Sequence, residues 1–144
     1  MAKILVIEDE IPVALLMVAL LTRAGCEVEV ATAADKGIRL AEEGNFNLIT
    51  LDIDLPSASG FEICRRLKEN PSLHRTPVVF VSGRCSLEAQ QHGLEVGAAD
   101  YITKPFDALD FASRILSHAE QARGVCHRLN KCLHAKESIS GPPF

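Results

Sequence analysis

Ile-Leu-Val-Ile-Glu-Asp-Glu, residues 4–10, runs four apolar residues directly into three carboxylates. A short apolar run bounded by charge reads as a buried strand, and this one ends where polar chemistry begins. The same pattern recurs along the chain, with apolar runs at 4–7, 28–31, 48–51, 78–81 and 101–103. The stretches between them, at 12–24, 34–43, 59–69, 86–96 and from 107 onward, carry apolar residues at three-to-four spacing and predict helices. Pro12 suits the first turn of a helix, Gly25 its C-terminal end, and Asn70 with Pro71 the exit of the third helix. Strict alternation of strand and helix predicts an α/β fold, a doubly wound five-stranded parallel sheet with helices on both faces. Five such strands suggest the order 2-1-3-4-5, in which ligands sit beyond the carboxyl ends of the strands, between the first and the third.

Bulk properties agree with one domain. A chain of 144 residues that is 47% hydrophobic buries an adequate core without disulfide or metal staples. The net charge of -4, with both signs interspersed, argues against nucleic-acid contact by this domain. Five irregularly spaced cysteines in a chain that opens without a secretory signal point to reduced thiols and a cytoplasmic location. The longest uncharged run, 11–22, is shorter than the about 20 apolar residues a bilayer requires, so no membrane role is expected. Residues 138–144 show no pattern and read as a disordered tail.

The residues that end the strands carry the chemistry. Glu8 and Asp9 follow the first, Asp52 the third, Ser82 the fourth and Lys104 the fifth. Three carboxylates gathered in a partly dry crevice repel one another unless a cation joins them, and an all-oxygen site of this kind suits Mg²⁺. A carboxylate that faces a metal, an ammonium and a hydroxyl is equipped for phosphoryl transfer, which consists mostly of positioning and charge neutralisation. Asp52 is then the candidate nucleophile, with Lys104 and Ser82 placed to contact the phosphoryl oxygens. Read alone, Glu8 and Asp9 are equally good helix-capping carboxylates.

Four segments in order, residues 4–10, Leu-Ile-Thr-Leu-Asp-Ile-Asp-Leu-Pro-Ser-Ala-Ser-Gly (48–60), Val-Val-Phe-Val-Ser-Gly (78–83) and Asp-Tyr-Ile-Thr-Lys-Pro-Phe (100–106), resemble the receiver domain of two-component response regulators. The resemblance implies a flavodoxin-like receiver over 1–121, and a phosphoacceptor switch rather than an enzyme with a turned-over substrate. It implies Mg²⁺ held by Glu8, Asp9 and Asp52, with the backbone carbonyl of Asp54 as a further ligand. The phosphoryl donor would be a histidine kinase or a histidine phosphotransfer protein. It further implies that Ser82 moves toward the phosphoryl group and Tyr101 swings inward behind it, to control a partner protein or an output module, and that Pro105 is the cis proline after Lys104.

Some features depart from that pattern. Asp54 and Arg84 flank the site, and their pairing across its mouth would screen Asp52 from attacking water. Gly83 stands where the family commonly has alanine, which loosens the loop. The first helix, Val-Ala-Leu-Leu-Met-Val-Ala-Leu-Leu (13–21), is apolar on every side, and the last extends past the usual receiver end, over 122–137, with Ala112, Leu116, Ala119, Ala122, Cys126, Leu129 and Leu133 in register. An interface between these two helices is expected, either within one chain or in a homodimer. Cys126, His127, Cys132 and His134 fit no standard zinc spacing. Asp52-Ile-Asp54 also resembles the nucleophile motif of haloacid-dehalogenase-type phosphatases, but those place it on the first strand. A receiver-like module that is never phosphorylated would have an incomplete site, and a flavin phosphate would not suit an acidic loop.

Overall fold

In a computed structural model, which describes residues 1–135 and the side chains of residues 1–122, the chain alternates as its apolar pattern predicts. The elements are β1 (Lys3–Ile7), α1 (Ile11–Arg23), β2 (Glu27–Ala31), α2 (Ala34–Glu43), β3 (Leu48–Leu51), β4 (Asp54–Leu55), β5 (Ala58–Ser59), α3 (Gly60–Glu69), β6 (Val78–Ser82), α4 (Leu87–Glu95), β7 (Asp100–Thr103) and α5 (Ala108–Ala135). Five strands form one sheet in the order β2-β1-β3-β6-β7 with every pair parallel, which is the 2-1-3-4-5 order of the five main strands. The small antiparallel pair β4–β5 was not foreseen, because strands of two residues carry no periodicity.

Side-chain alternation along each strand divides the core into two layers. Leu5 and Ile7 of β1 join Ile49 and Leu51 of β3 under α2 and α3, where Ile38, Ala41, Ile63 and Leu67 close the layer. Ile4 and Val6 join Leu48, Val79 and Val81 on the opposite face, covered by Met17 and Leu21 of α1 and by Phe111, Ile115 and Ala119 of α5. The first and last helices therefore share one side of the sheet. Helix α1 begins with Pro12 in its first turn and ends just before Gly25, whose φ of 95° any side chain would strain. It buries Ala14, Met17 and Leu21 and leaves Ile11, Leu15 and Leu16 exposed. The cover expected for that outer face involves side chains beyond residue 122, which lie outside the described residues, as does the tail 138–144.

The turn after β3 is tight for a definite reason. Gly60 donates its N–H to the carbonyl of Ile53 at 2.8 Å, and Ser59 caps α3 by accepting from the N–H of Phe61 at 3.2 Å. A Cβ on Gly60 would run into the carbonyl oxygen of Asp52 and lie 2.7 Å from Cα of Ile53. Both obstacles are backbone and cannot rotate away. Gly60→Ala is therefore expected to lower stability by about 2–3 kcal/mol, the upper part of the overpacking range, as read from urea unfolding. An unchanged denaturation midpoint would show that the turn can open.

Candidate functional site

The hydrogen-bond ladder of the sheet runs one residue past several of the strands. Glu8 donates its backbone N–H to Ala31 at 3.0 Å, Asp52 to Ile7 at 3.2 Å and Lys104 to Ser82 at 2.8 Å. With Ile7 in register with Leu51, Leu51 with Phe80, and Ser82 with Thr103, the backbone itself sets Glu8, Asp52, Ser82 and Lys104 side by side at one sheet edge. Residues scattered along the sequence meet because the strands are parallel and end together.

Lys104 stands among the carboxylates. Its Nζ lies 2.8 Å from Glu8 Oε1, 3.2 Å from Glu10 Oε1 and 3.3 Å from Asp52 Oδ2. Glu8 and Asp52 are buried, at 1% and 5% exposure, whereas Glu10 faces solvent. Burial pushes the Glu8 carboxyl up to about 7, with the neighbouring Asp52 charge adding to it, against the opposing pull of Lys104. Burial works against the Lys104 ammonium, but Glu8, Asp52 and Glu10 together hold its pKa above the ordinary lysine value.

One oxygen from each of Glu8, Glu10 and Asp52 falls within 4.8 Å of the others, a spacing that fits a metal ion. Asp9 is not in that triad. Its Oδ1 is nonetheless buried without a hydrogen-bond partner, whereas Glu8 Oε1 is met by the Lys104 ammonium at 2.8 Å. A buried carboxylate oxygen left without a donor, beside a clustered oxygen triad, is what a hard cation satisfies, so the donor set fits such a group. Glu10 was the residue sequence reasoning passed over. It occupies the N-cap of α1, yet its side chain makes no capping bond, and the unbroken acidic run from 8 to 10 was the available signal.

The remaining predicted residues ring the mouth. Asp54, on β4, gives its backbone N–H to Asp52 Oδ1 at 3.3 Å. Its carboxylate receives Arg84 Nε at 2.9 Å and Nη2 at 2.6 Å, and this hydrogen bonding holds the Asp54 carboxyl below its ordinary value. Ser82 is fully buried, and its Oγ accepts the backbone N–H of Arg84 at 3.1 Å. Tyr101 is held inward at 7% exposure, its hydroxyl donating to the Arg84 carbonyl at 2.5 Å. Burial raises the Tyr101 pKa, partly offset by a hydrogen bond with Ser82. The Lys104–Pro105 peptide is cis. Arg114 and His118 of α5 both hold the carboxylate of Asp100, at the start of β7. The side chains of Cys126, His127, Cys132 and His134 lie outside the described residues.

A doubly wound sheet with an acidic pocket at the carboxyl ends of its first and third strands defines a phosphoacceptor switch of the α/β class. The chain belongs to the response regulator receiver domain family, which it matches over residues 4–116. It is 36% identical to the transcriptional regulatory protein DltR of Streptococcus agalactiae, over 94% of this chain and 63% of that protein. It is 33% identical to the phosphate regulon transcriptional regulatory protein PhoB of Rhizobium meliloti, and spans 53% of its length. Among solved structures, a CheY-like response regulator receiver domain protein from Methanospirillum hungatei superposes with a TM-score of 0.79 at 28% identity, covering 85% of this chain and 97% of that one. The BeF3-activated DrrB receiver domain gives 0.74 at 31% identity, over 83% and 98%. No helix among the described residues is long and apolar enough to cross a membrane.

Lys104 is the cation that touches all three clustered carboxylates. Lys104→Met is expected to cost about 3 kcal/mol, the low end for breaking a buried pair because the lysine side chain keeps 14% of its surface in water. Millimolar divalent cation should recover part of the lost melting temperature by drawing the carboxylates together. A variant as stable as the native chain, with no response to cation, would contradict this electrostatic reading.

Proposed function

We propose that Asp52 accepts a phosphoryl group from a phosphohistidine on a histidine kinase or histidine phosphotransfer protein, in a Mg²⁺-dependent reaction. The observation that supports it most is the meeting of the Glu8, Glu10 and Asp52 oxygens with the Lys104 ammonium at one sheet edge. In the transfer a carboxylate oxygen of Asp52 attacks phosphorus. The new P–O bond forms as the P–N bond breaks, and the imidazole leaves. Glu8 and Asp9, with Glu10 and the Asp54 carbonyl available beside them, would hold the metal, which when bound neutralises charge on the phosphoryl oxygens. Lys104 turns from the carboxylates toward the incoming anion, and the Ser82 hydroxyl donates to one of its oxygens.

A phosphoryl group of about -1.5 to -2 in place of the single carboxylate charge of Asp52 is the input, and Ser82 with Tyr101 is the element it biases. The surface around α4 and β7 then changes toward a partner protein or an output module. The chain spans about half the length of several curated relatives, at 51%, and those named as transcriptional regulatory proteins support a role in controlling a partner protein or an output module.

Acetyl phosphate and Mg²⁺ should add one phosphoryl mass to the native chain, once, and none to Asp52→Asn or to the native chain in excess chelator. Label on Asp52→Asn would move the acceptor elsewhere, and continuous turnover of a phosphomonoester would favour the phosphatase reading. The Arg84–Asp54 pair stands across the mouth and, on this reading, lengthens the phosphorylated lifetime by hindering water. Asp54→Asn and Arg84→Ala should each speed dephosphorylation several-fold, followed as loss of the acyl phosphate. Equal rates in all three proteins would remove that role.

A further inference from the structure

Arg84 touches none of the clustered carboxylates that hold Lys104, yet three parts of it hold three different neighbours. Its backbone N–H donates to Ser82 Oγ at 3.1 Å, and its carbonyl accepts the Tyr101 hydroxyl at 2.5 Å. Its guanidinium forks onto Asp54, through Nε at 2.9 Å and Nη2 at 2.6 Å. Asp54 in turn donates its backbone N–H to Asp52 Oδ1 at 3.3 Å. Three hydrogen-bonded contacts, linked through the covalent frames of Asp54 and Arg84, thus join the Asp52 carboxylate to the aromatic ring.

The loop that carries Arg84 has few other anchors at this end. Residues 83–86 belong to neither helix nor strand, and a Cβ built on Gly83 would meet nothing within 4 Å. The far end is fixed to α4, where Ser86 Oγ accepts from Ala89 N–H and the Cys85 carbonyl accepts from Gln90. Beyond Ser82 and Tyr101 themselves, the side-chain anchor of Arg84 is the fork onto Asp54, and Asp54 sits on a hairpin pinned by the Gly60 turn. Space for the ring is provided on the other side by Gly93 of α4, where a Cβ would stand 3.1 Å from Tyr101 Cδ2.

We propose that Arg84 is a positioning residue, whose ion pair with Asp54 places its own carbonyl to capture the Tyr101 hydroxyl and so biases the aromatic inward before any phosphoryl group arrives. The inference rests on the reading of Ser82 and Tyr101 as the switch, and gives this chain a resting signal set by one ion pair. The pair is exposed, at 57% and 53% of the side chains, so it is sensitive to salt. A bidentate exposed pair changes the ratio of inward to outward ring about two- to fivefold.

The chain has one tyrosine and no tryptophan, so 3-fluorotyrosine labels Tyr101 alone. We expect the fluorine resonance of the unphosphorylated native chain to lie at the shielded position of a buried ring. In Arg84→Ala and in Asp54→Asn it should move toward the position of a solvent-exposed tyrosine, without a matching change in melting temperature. Roughly 1 M salt, where the Debye length is about 3 Å, should move the native resonance the same way and leave both variants where they are. One shared resonance position for all three proteins at low and high salt would overturn the proposal, as would a salt response equal in native and variant chains. Mg²⁺ with beryllofluoride is added last, as a separate arm. If it shifts no resonance, the phosphoacceptor reading fails while the Arg84 comparison stands; if it drives Tyr101 inward in both variants but the salt and variant comparisons show no difference, the reverse holds.

Discussion

One ammonium among three carboxylates is the constraint on which this molecule turns. Two unit charges about 4 Å apart interact by roughly 4 kcal/mol at the effective dielectric near a protein surface. Glu8, Glu10 and Asp52 would therefore push the ends of β1 and β3 apart if nothing answered them. Lys104 answers them from β7, across the sheet. Parallel strands make this economical, since every strand delivers its last residue to the same edge, while two apolar layers well away from the charges supply the stability that holds them there. The cluster is thus a load that the fold carries, and a cation seated among the carboxylates would relieve it.

The same edge explains how occupancy could reach the surface. Ser82 closes β6 and Tyr101 lies in the adjacent β7, so a shift of either would have to cross only one strand spacing to reach the other. Tyr101 also packs near Phe80, with ring centroids 6.0 Å apart, and that ring belongs to the core layer under α4. Asp52 and the outer surface of α4 and β7 are consequently separated by few side chains. On the far side of the sheet, α1 keeps Ile11, Leu15 and Leu16 in solvent beside the same acidic edge.

Much of this is legible in the amino-acid sequence. Glu8, Asp52, Ser82 and Lys104 each follow or close an apolar run, and in a parallel sheet that position alone predicts convergence. Alternation and the need to bury both faces predict a parallel, doubly wound sheet, and five strands suggest its order. Other parts were not legible, for reasons particular to each. Glu10 was passed over because capping and metal ligation use the same residue types at the same place, so the acidic run from 8 to 10 does not by itself say which carboxylates join the site. The β4–β5 hairpin is too short to show a period. The link from Arg84 to Ser82 and Tyr101 runs through backbone N–H and carbonyl groups, which every residue possesses and no sequence pattern reveals. The Asp54–Arg84 pair, by contrast, was anticipated because both charges are side chains flanking a site already in view.

The most direct measurement of the central claim is a crystal structure of the chain with Mg²⁺ and beryllofluoride. The account predicts density for the fluoride group bonded to a carboxylate oxygen of Asp52, with Lys104 and Ser82 in contact with it and the acidic residues at 8 to 10 facing the metal. A group bound at any other residue, or Lys104 still paired with Glu8 beside an occupied Asp52, would contradict it.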